Sequence, residues 1–105
     1  MSEAASRMTS QHVGALAVVV DGNSLVGILS ERDVVRAVAE GVDLPRAGAG
    51  SHATLKVKTA KLAEDTTDIA RRMLDGGVRH LPVVRDHTVV GMISMRDVLA
   101  VEAWL

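Results

Sequence analysis

The chain has 105 residues, 48% of them apolar but only one aromatic, Trp104, and a formal net charge of −1. That size permits one domain-scale core, which has to be packed from Val, Leu, Ile, Ala and Met and mostly from β-branched side chains. The charge excludes a general nucleic-acid binder, the absence of cysteine excludes disulfides and thiolate chemistry, and the longest apolar run, residues 13–20, is far short of the ~20 residues that span a bilayer. Residues 1–12 carry Glu3, Arg7 and His12 and lack the apolar stretch of a signal peptide. The chain therefore reads as soluble and cytoplasmic, with neither membrane nor nucleic acid as a main partner.

In chain order, the pattern predicts a helix ending near Met8, a strand over Ala15–Val20, a turn at Asp21-Gly22-Asn23 and a second strand over residues 25–29. Ser30 starts a helix that runs to about Glu40, where Gly41 stops it. Residues 42–54, with Pro45, Gly48 and Gly50, have the composition of a linker. The alternation of Leu55, Val57 and Thr59 with lysines predicts a leading strand over residues 55–62. Asp65-Thr66-Thr67 opens a helix with Ile69, Ala70, Met73 and Leu74 on one face, closed by Gly76-Gly77. Strands over residues 81–85 and 89–93 follow, joined by a weaker turn at Asp86-His87, and a last helix runs from Ser94 to Leu105.

The chain is an internal duplication. Met8 matches Met73, Val13 matches Val78 and Leu16 matches Leu81; after a one-residue gap in the turn, Gly27 matches Gly91, Ser30 matches Ser94 and Asp33 matches Asp97. The repeats occupy residues 1–41 and 55–105, and the first lacks the leading strand of the second. Each unit has an apolar face that it cannot bury alone, so the two are expected to pack face to face about a pseudo-twofold axis with symmetric clefts at the joint.

Gly27-Ile28-Leu29-Ser30-Glu31-Arg32-Asp33 and Gly91-Met92-Ile93-Ser94-Met95-Arg96-Asp97 carry the candidate chemistry. Ser at a helix N-cap with Asp three residues on is a relative of the capping box, and this alone accounts for either element. The same geometry offers N–H groups to an anion and a carboxylate to a ribose diol, so a nucleotide would satisfy both.

With the strands that precede them, Val-Gly-Ala-Leu-Ala-Val-Val in the first copy and Val78-Arg79-His80-Leu81-Pro82-Val83-Val84 in the second, these elements resemble the cystathionine β-synthase (CBS) domain. The resemblance covers essentially the whole chain as a tandem pair, a Bateman module. It implies an α+β fold of two pseudo-twofold-related repeats, each a small sheet packed on two helices. It implies a regulatory, energy-sensing module that binds AMP, ADP, ATP or S-adenosylmethionine between the repeats, with no catalytic residues and no obligatory cofactor. Carried over, one site uses Ile28, Ser30, Arg32 and Asp33 with a base wall from Val57, Lys58 and Val78. The other uses Met92, Ser94, Arg96 and Asp97 with Arg79 and His80 turned toward phosphate, and only Val13 and Gly14 remain to wall it. The Asp33 site is the better formed of the two on this reading.

No Walker loop, dinucleotide fingerprint or nucleophile arrangement is present, and His12, His52, His80 and His87 lack metal-ligand spacing. The competing reading is a structural dimerisation or protein-interaction module with empty clefts. A homodimer through helix faces such as Val34, Val35, Val38 or Val98, Leu99 is expected in either case, with the output in a separate effector protein or enzyme.

Overall fold

The computed structural model describes residues 1–104, and the side chains of residues 1–101. Leu105, to which the last helix was expected to run, and the Trp104 side chain lie outside that description. The elements are α1 (Ser2–Gln11), β1 (Ala15–Val20), β2 (Ser24–Ser30), α2 (Glu31–Ala39), β3 (Ala60–Lys61), α3 (Thr66–Gly76), β4 (His80–Arg85), β5 (Thr88–Ser94) and α4 (Met95–Trp104). Helix α1 continues past Met8 to Gln11 and ends on His12 in the left-handed conformation at φ 55°. Helix α3 ends on Gly77 at φ 63°, a position where glycine carries no Cβ penalty. The Asp86-His87 turn forms a tight hairpin despite its weak signal, because both residues take positive φ, 49° and 70°.

The strands form one five-stranded sheet in the order β1-β2-β5-β4-β3. The repeats do not stack their sheets face to face; they join edge to edge where Ser24 pairs with Thr88. Two bonds close this seam symmetrically, from the Leu25 amide to the His87 carbonyl (3.1 Å) and from the Val89 amide to the Asn23 carbonyl (2.9 Å). Donors and acceptors exchange under the repeat correspondence, so the pseudo-twofold axis passes through this point. The edges of β2 and β5 would otherwise present unpaired backbone groups there.

The expected leading strand over residues 55–62 is reduced to Ala60–Lys61, which pairs in parallel with β4. Thr54 makes an isolated antiparallel bridge to Ile28. Residues 55–59 thus cross from the edge of the first repeat's hairpin to that of the second. Midway there is no strand to take their backbone bonds, so alternation alone produces no strand. Among the described residues β3 has no counterpart in the first repeat.

The apolar residues divide into one cluster per repeat. Met1, Met8, Leu29 and Ala37 are buried in the first, and Ala60, Ile69, Met73, Leu81 and Val98 in the second. The core is aliphatic as expected, but Leu, Met and Ala outnumber β-branched residues at its centre; the strand valines Val18, Val26, Val83, Val84 and Val89 are half-buried, and Val19, Val20 and Val90 are exposed. Val34 packs on the first cluster and Val98 is buried in the second, so neither is available to a second copy. Val35 and Leu99, one residue on from each, turn to another side of their helices and are exposed, and Val38, a turn beyond Val34, is exposed as well because the packing on α2 does not reach it. Leu74 is also turned outward, 72% exposed, away from the face made by Ile69 and Met73.

Candidate functional site

Each repeat builds the same helix start. In the first, the Ser30 amide donates to Asp33 Oδ2 (2.8 Å), the Ser30 hydroxyl donates to the same oxygen (3.0 Å), and the Asp33 amide donates to Ser30 Oγ (3.2 Å), a complete capping box. In the second, the Ser94 amide donates to Asp97 Oδ2 (2.9 Å) and the Asp97 amide to Ser94 Oγ (3.1 Å). The amide after each N-cap is taken as well: Glu31 N–H donates to the Gly14 carbonyl (2.9 Å) and Met95 N–H to the Arg79 carbonyl (2.8 Å). Gly14 and Arg79 are equivalent under the repeat, as are Glu31 and Met95. Of the first-turn amides, those of Arg32 and Arg96 have no partner among the described residues, so each helix end offers an anion one N–H rather than the usual set.

The two aspartates differ in setting. Asp33 is 8% exposed; its second oxygen, Oδ1, makes no hydrogen bond among the described residues and lies 3.8 Å from Arg36 Nη1. Asp97 is exposed, and the bonds from Ser94 hold its carboxyl below the usual carboxylate range.

Two cavities flank the joint. The first, about 520 Å³, is lined by Ile28, Ser30, Arg32 and Asp33 from the first repeat and by Val57, Lys58 and Val78 from the second. Arg79 and His80 line it too. The second, about 1210 Å³, is lined by Met92, Ser94, Arg96 and Asp97, again with Arg79 and His80. Its opposite wall is the stretch from Gln11 to Ala17, longer than the Val13 and Gly14 expected, although the cavity remains the wider. The first volume lies in the range of ligand sites, ~300–1,000 Å³.

Sequence reasoning missed three features. Arg79 and His80, assigned to one cleft, face both. Glu31, not singled out at all, also lines both. Lys56 and Arg36 join the Asp33 cleft. The i to i+4 relation of Arg32 and Arg36 on one helix was a signal for the latter; nothing in the sequence marked Glu31. His80 stands in the wall between the cavities, close enough that a Cβ on Gly14 would lie 3.1 Å from its Cε1. Burial pushes the His80 pKa down, against the opposing pull of Glu31 and Asp97 and with the help of Arg79. Among the described residues no group of three or more His, Asp or Glu is placed to hold a metal ion, and no helix is long and apolar enough to cross a membrane.

Fold and clefts together define a duplicated α+β module with a cleft on either side of its seam. The CBS domain family model matches residues 1–40 and 51–103, and the chain belongs to that family, as a tandem pair. Proteins of this family are typically regulatory modules rather than catalysts. The chain is similar to the CBS domain pair of protein MJ0100 in complex with 5′-methylthioadenosine and S-adenosylmethionine, with TM-score 0.88 and 26% identity over 98% of this chain and 81% of that one. It is also similar to the CBS domain protein PAE2072 of Pyrobaculum aerophilum complexed with AMP, with TM-score 0.85 and 27% identity over 99% of this chain and 85% of that one. An uncharacterized 17.7 kDa protein of Acidianus ambivalens is 34% identical over 92% of this chain and 58% of its own length. The chain spans less than two thirds of the first curated relatives it matches.

Proposed function

We propose that this tandem pair binds an adenosine-containing ligand, AMP, ADP, ATP or S-adenosylmethionine, between its repeats and works as a regulatory module without catalytic activity. The observation that carries the reading is the 520 Å³ cleft, where Ser30 and Asp33 at a helix start face Val57, Lys58 and Val78 from the other repeat. Similar pairs hold AMP, 5′-methylthioadenosine and S-adenosylmethionine, which supports the ligand class. Asp33 Oδ1, held only in a loose ion pair with Arg36 at 3.8 Å, is the acceptor available to a ribose hydroxyl, the Arg32 amide and guanidinium are the donors available to phosphate, and Val57 and Val78 offer apolar surface to the base. In this reading the module acts in the cytoplasm, with which a cysteine-free chain is compatible, and signals to a separate effector.

One observation favours the competing structural role: both aspartates are already engaged as helix caps, and Val35, Val38 and Leu99 are 67%, 59% and 62% exposed. These three residues are the helix surface a homodimer would cover, and light scattering of a Val35→Lys, Val38→Lys variant reads that pairing directly.

The ligand reading is tested by calorimetric titration of AMP, ADP, ATP, S-adenosylmethionine and NAD against the wild type, Asp33→Ala and Asp33→Asn. Loss of a charged hydrogen bond worth roughly 1.5–3 kcal/mol weakens binding by about 10- to 150-fold. The Asn variant keeps an acceptor for the Ser30 amide, so a loss shared by both variants reports the carboxylate and not the cap. Absence of wild-type binding at millimolar ligand selects the structural role.

A further inference from the structure

The two clefts carry very different charge. The Asp33 cleft is lined by five cationic side chains, Arg32, Arg36, Lys56, Lys58 and Arg79, against the carboxylates of Glu31 and Asp33. The Asp97 cleft is lined by Arg79 and Arg96 against Glu31 and Asp97. Glu31 and Arg79 are common to both and offset each other. What distinguishes the clefts is therefore Arg32, Arg36, Lys56 and Lys58 over Asp33 on one side, and Arg96 balanced by Asp97 on the other.

This asymmetry has a definite origin in the duplication. Arg32 corresponds to Arg96, but Arg36 corresponds to Ala100. Lys56 and Lys58 belong to the crossing segment before β3, which has no counterpart in the first repeat among the described residues. Arg36 is drawn to Asp33 at 3.8 Å, which leaves Arg32, Lys56 and Lys58 as the cations that only this cleft can offer to an incoming anion. A cleft walled by protein focuses such a field, whereas the balanced cleft provides no net attraction for a phosphate chain.

We infer that the clefts are specialised by ligand charge: the Asp33 cleft takes an adenosine bearing a polyphosphate tail, and the Asp97 cleft an adenosine derivative without phosphate. The inference rests on the adenosine-binding reading above and adds to it which ligand class each cleft accepts. Phosphate charge would be met by Lys56, Lys58 and Arg32, in a site whose affinity falls with salt. The phosphate-free ligand would leave the Arg96 and Asp97 balance undisturbed, in a site whose affinity hardly responds to salt.

The test is calorimetry with magnesium-free ATP and with 5′-methylthioadenosine, each alone and each against protein saturated with the other, at low and at physiological ionic strength. The proteins are the wild type and Lys56→Gln, Lys58→Gln. Both lysines are exposed, and circular dichroism checks the variant's fold. The expected result is that the two ligands bind together, that the double variant weakens ATP about tenfold, and that it leaves 5′-methylthioadenosine within about twofold. The salt response of the wild type gives the same discrimination without a mutation. If the ligands displace one another, or if the variant and the salt affect both equally, charge specialisation is overturned while adenosine binding stands. If neither ligand binds the wild type, the underlying reading falls and this inference with it.

Discussion

Gly14 and His80 face each other across the seam in close contact: a Cβ on Gly14 would stand 3.1 Å from His80 Cε1 and 3.2 Å from Nε2, so a side chain there requires the imidazole to give by a few tenths of an ångström. Because His80 lines both clefts, this contact sets the width of the wall they share.

Gly14→Ala is expected to push the imidazole aside without unfolding the chain, since the obstructing atoms end a movable side chain. Such overpacking costs about 1–3 kcal/mol. Adenosine-ligand affinity should fall roughly 5- to 10-fold in both clefts together, about 1–1.4 kcal/mol, as read by calorimetry. A loss in one cleft only would mean that His80 does not act as the common wall.

Gly27 and Gly91 occupy equivalent positions in the duplication but are expected to respond differently to alanine. A Cβ on Gly27 would lie 2.5 Å from the Thr54 carbonyl oxygen, a backbone atom held by reciprocal bonds with Ile28 of 3.0 and 2.9 Å. On Gly91 the nearest atom is Val83 Cβ at 3.9 Å, an ordinary contact. Thermal melts should show Gly27→Ala losing about 1–3 kcal/mol, several degrees in Tm for each kcal/mol, with Gly91→Ala within about 0.5 kcal/mol of wild type.

The acid limb of the stability curve is expected to depend on Glu64. Its carboxylate takes paired bonds from Arg72 (2.7 and 2.8 Å) and one from the Lys61 amide (3.0 Å), and Arg72 also donates to the Thr59 carbonyl (2.7 Å). The Arg72 hydrogen bonds lead in lowering its pKa from 4.5 to about 2. The unfolded chain therefore takes up this proton first, and the stabilisation, complete above pH 4.5, is lost as pH falls toward 2. The pair is about a quarter exposed, so screening keeps the loss to about 1–2 kcal/mol. Denaturant titrations of Glu64→Gln between these pH values should show a flatter slope than wild type.

His80 is expected to act at higher pH and with the same sign. Burial holds its pKa below the ordinary 6.5, so the unfolded chain binds that proton first; the fold is at full strength above pH 6.5 and weakens as pH falls below it. In His80→Gln the decline should begin only where the carboxylates titrate. Chemical denaturation of both proteins over pH 5 to 8 gives the comparison.

Much of this molecule was legible because its determinants are local. The repeat, the hairpins, the Ser30 and Ser94 helix starts and the Asp65 cap each depend on residues a few positions apart, and the Asp65 side chain does accept from the Thr67 amide at 2.9 Å. Alternation at Leu55, Val57 and Thr59 misled, because a strand also needs a neighbour to pair with. Leu74 and the pair Val34 and Val98 misled because apolar character does not say which side of a helix meets the core.

The sequence by itself determined the duplication, the order of helices and strands, and two matched Ser and Asp capping elements, since short-range hydrogen bonding and turn chemistry specify these. Only the tertiary structure decided that the matched elements are not equivalent. The seam at Ser24 and Thr88 and the crossing from Thr54 to Ala60 bring Lys56 and Lys58 to one cleft alone, put Thr54 over Gly27 but nothing comparable over Gly91, and place Glu31, Arg79 and His80 between both cavities. Those relations join residues far apart in the chain, and which of them meet depends on how the two repeats share a sheet.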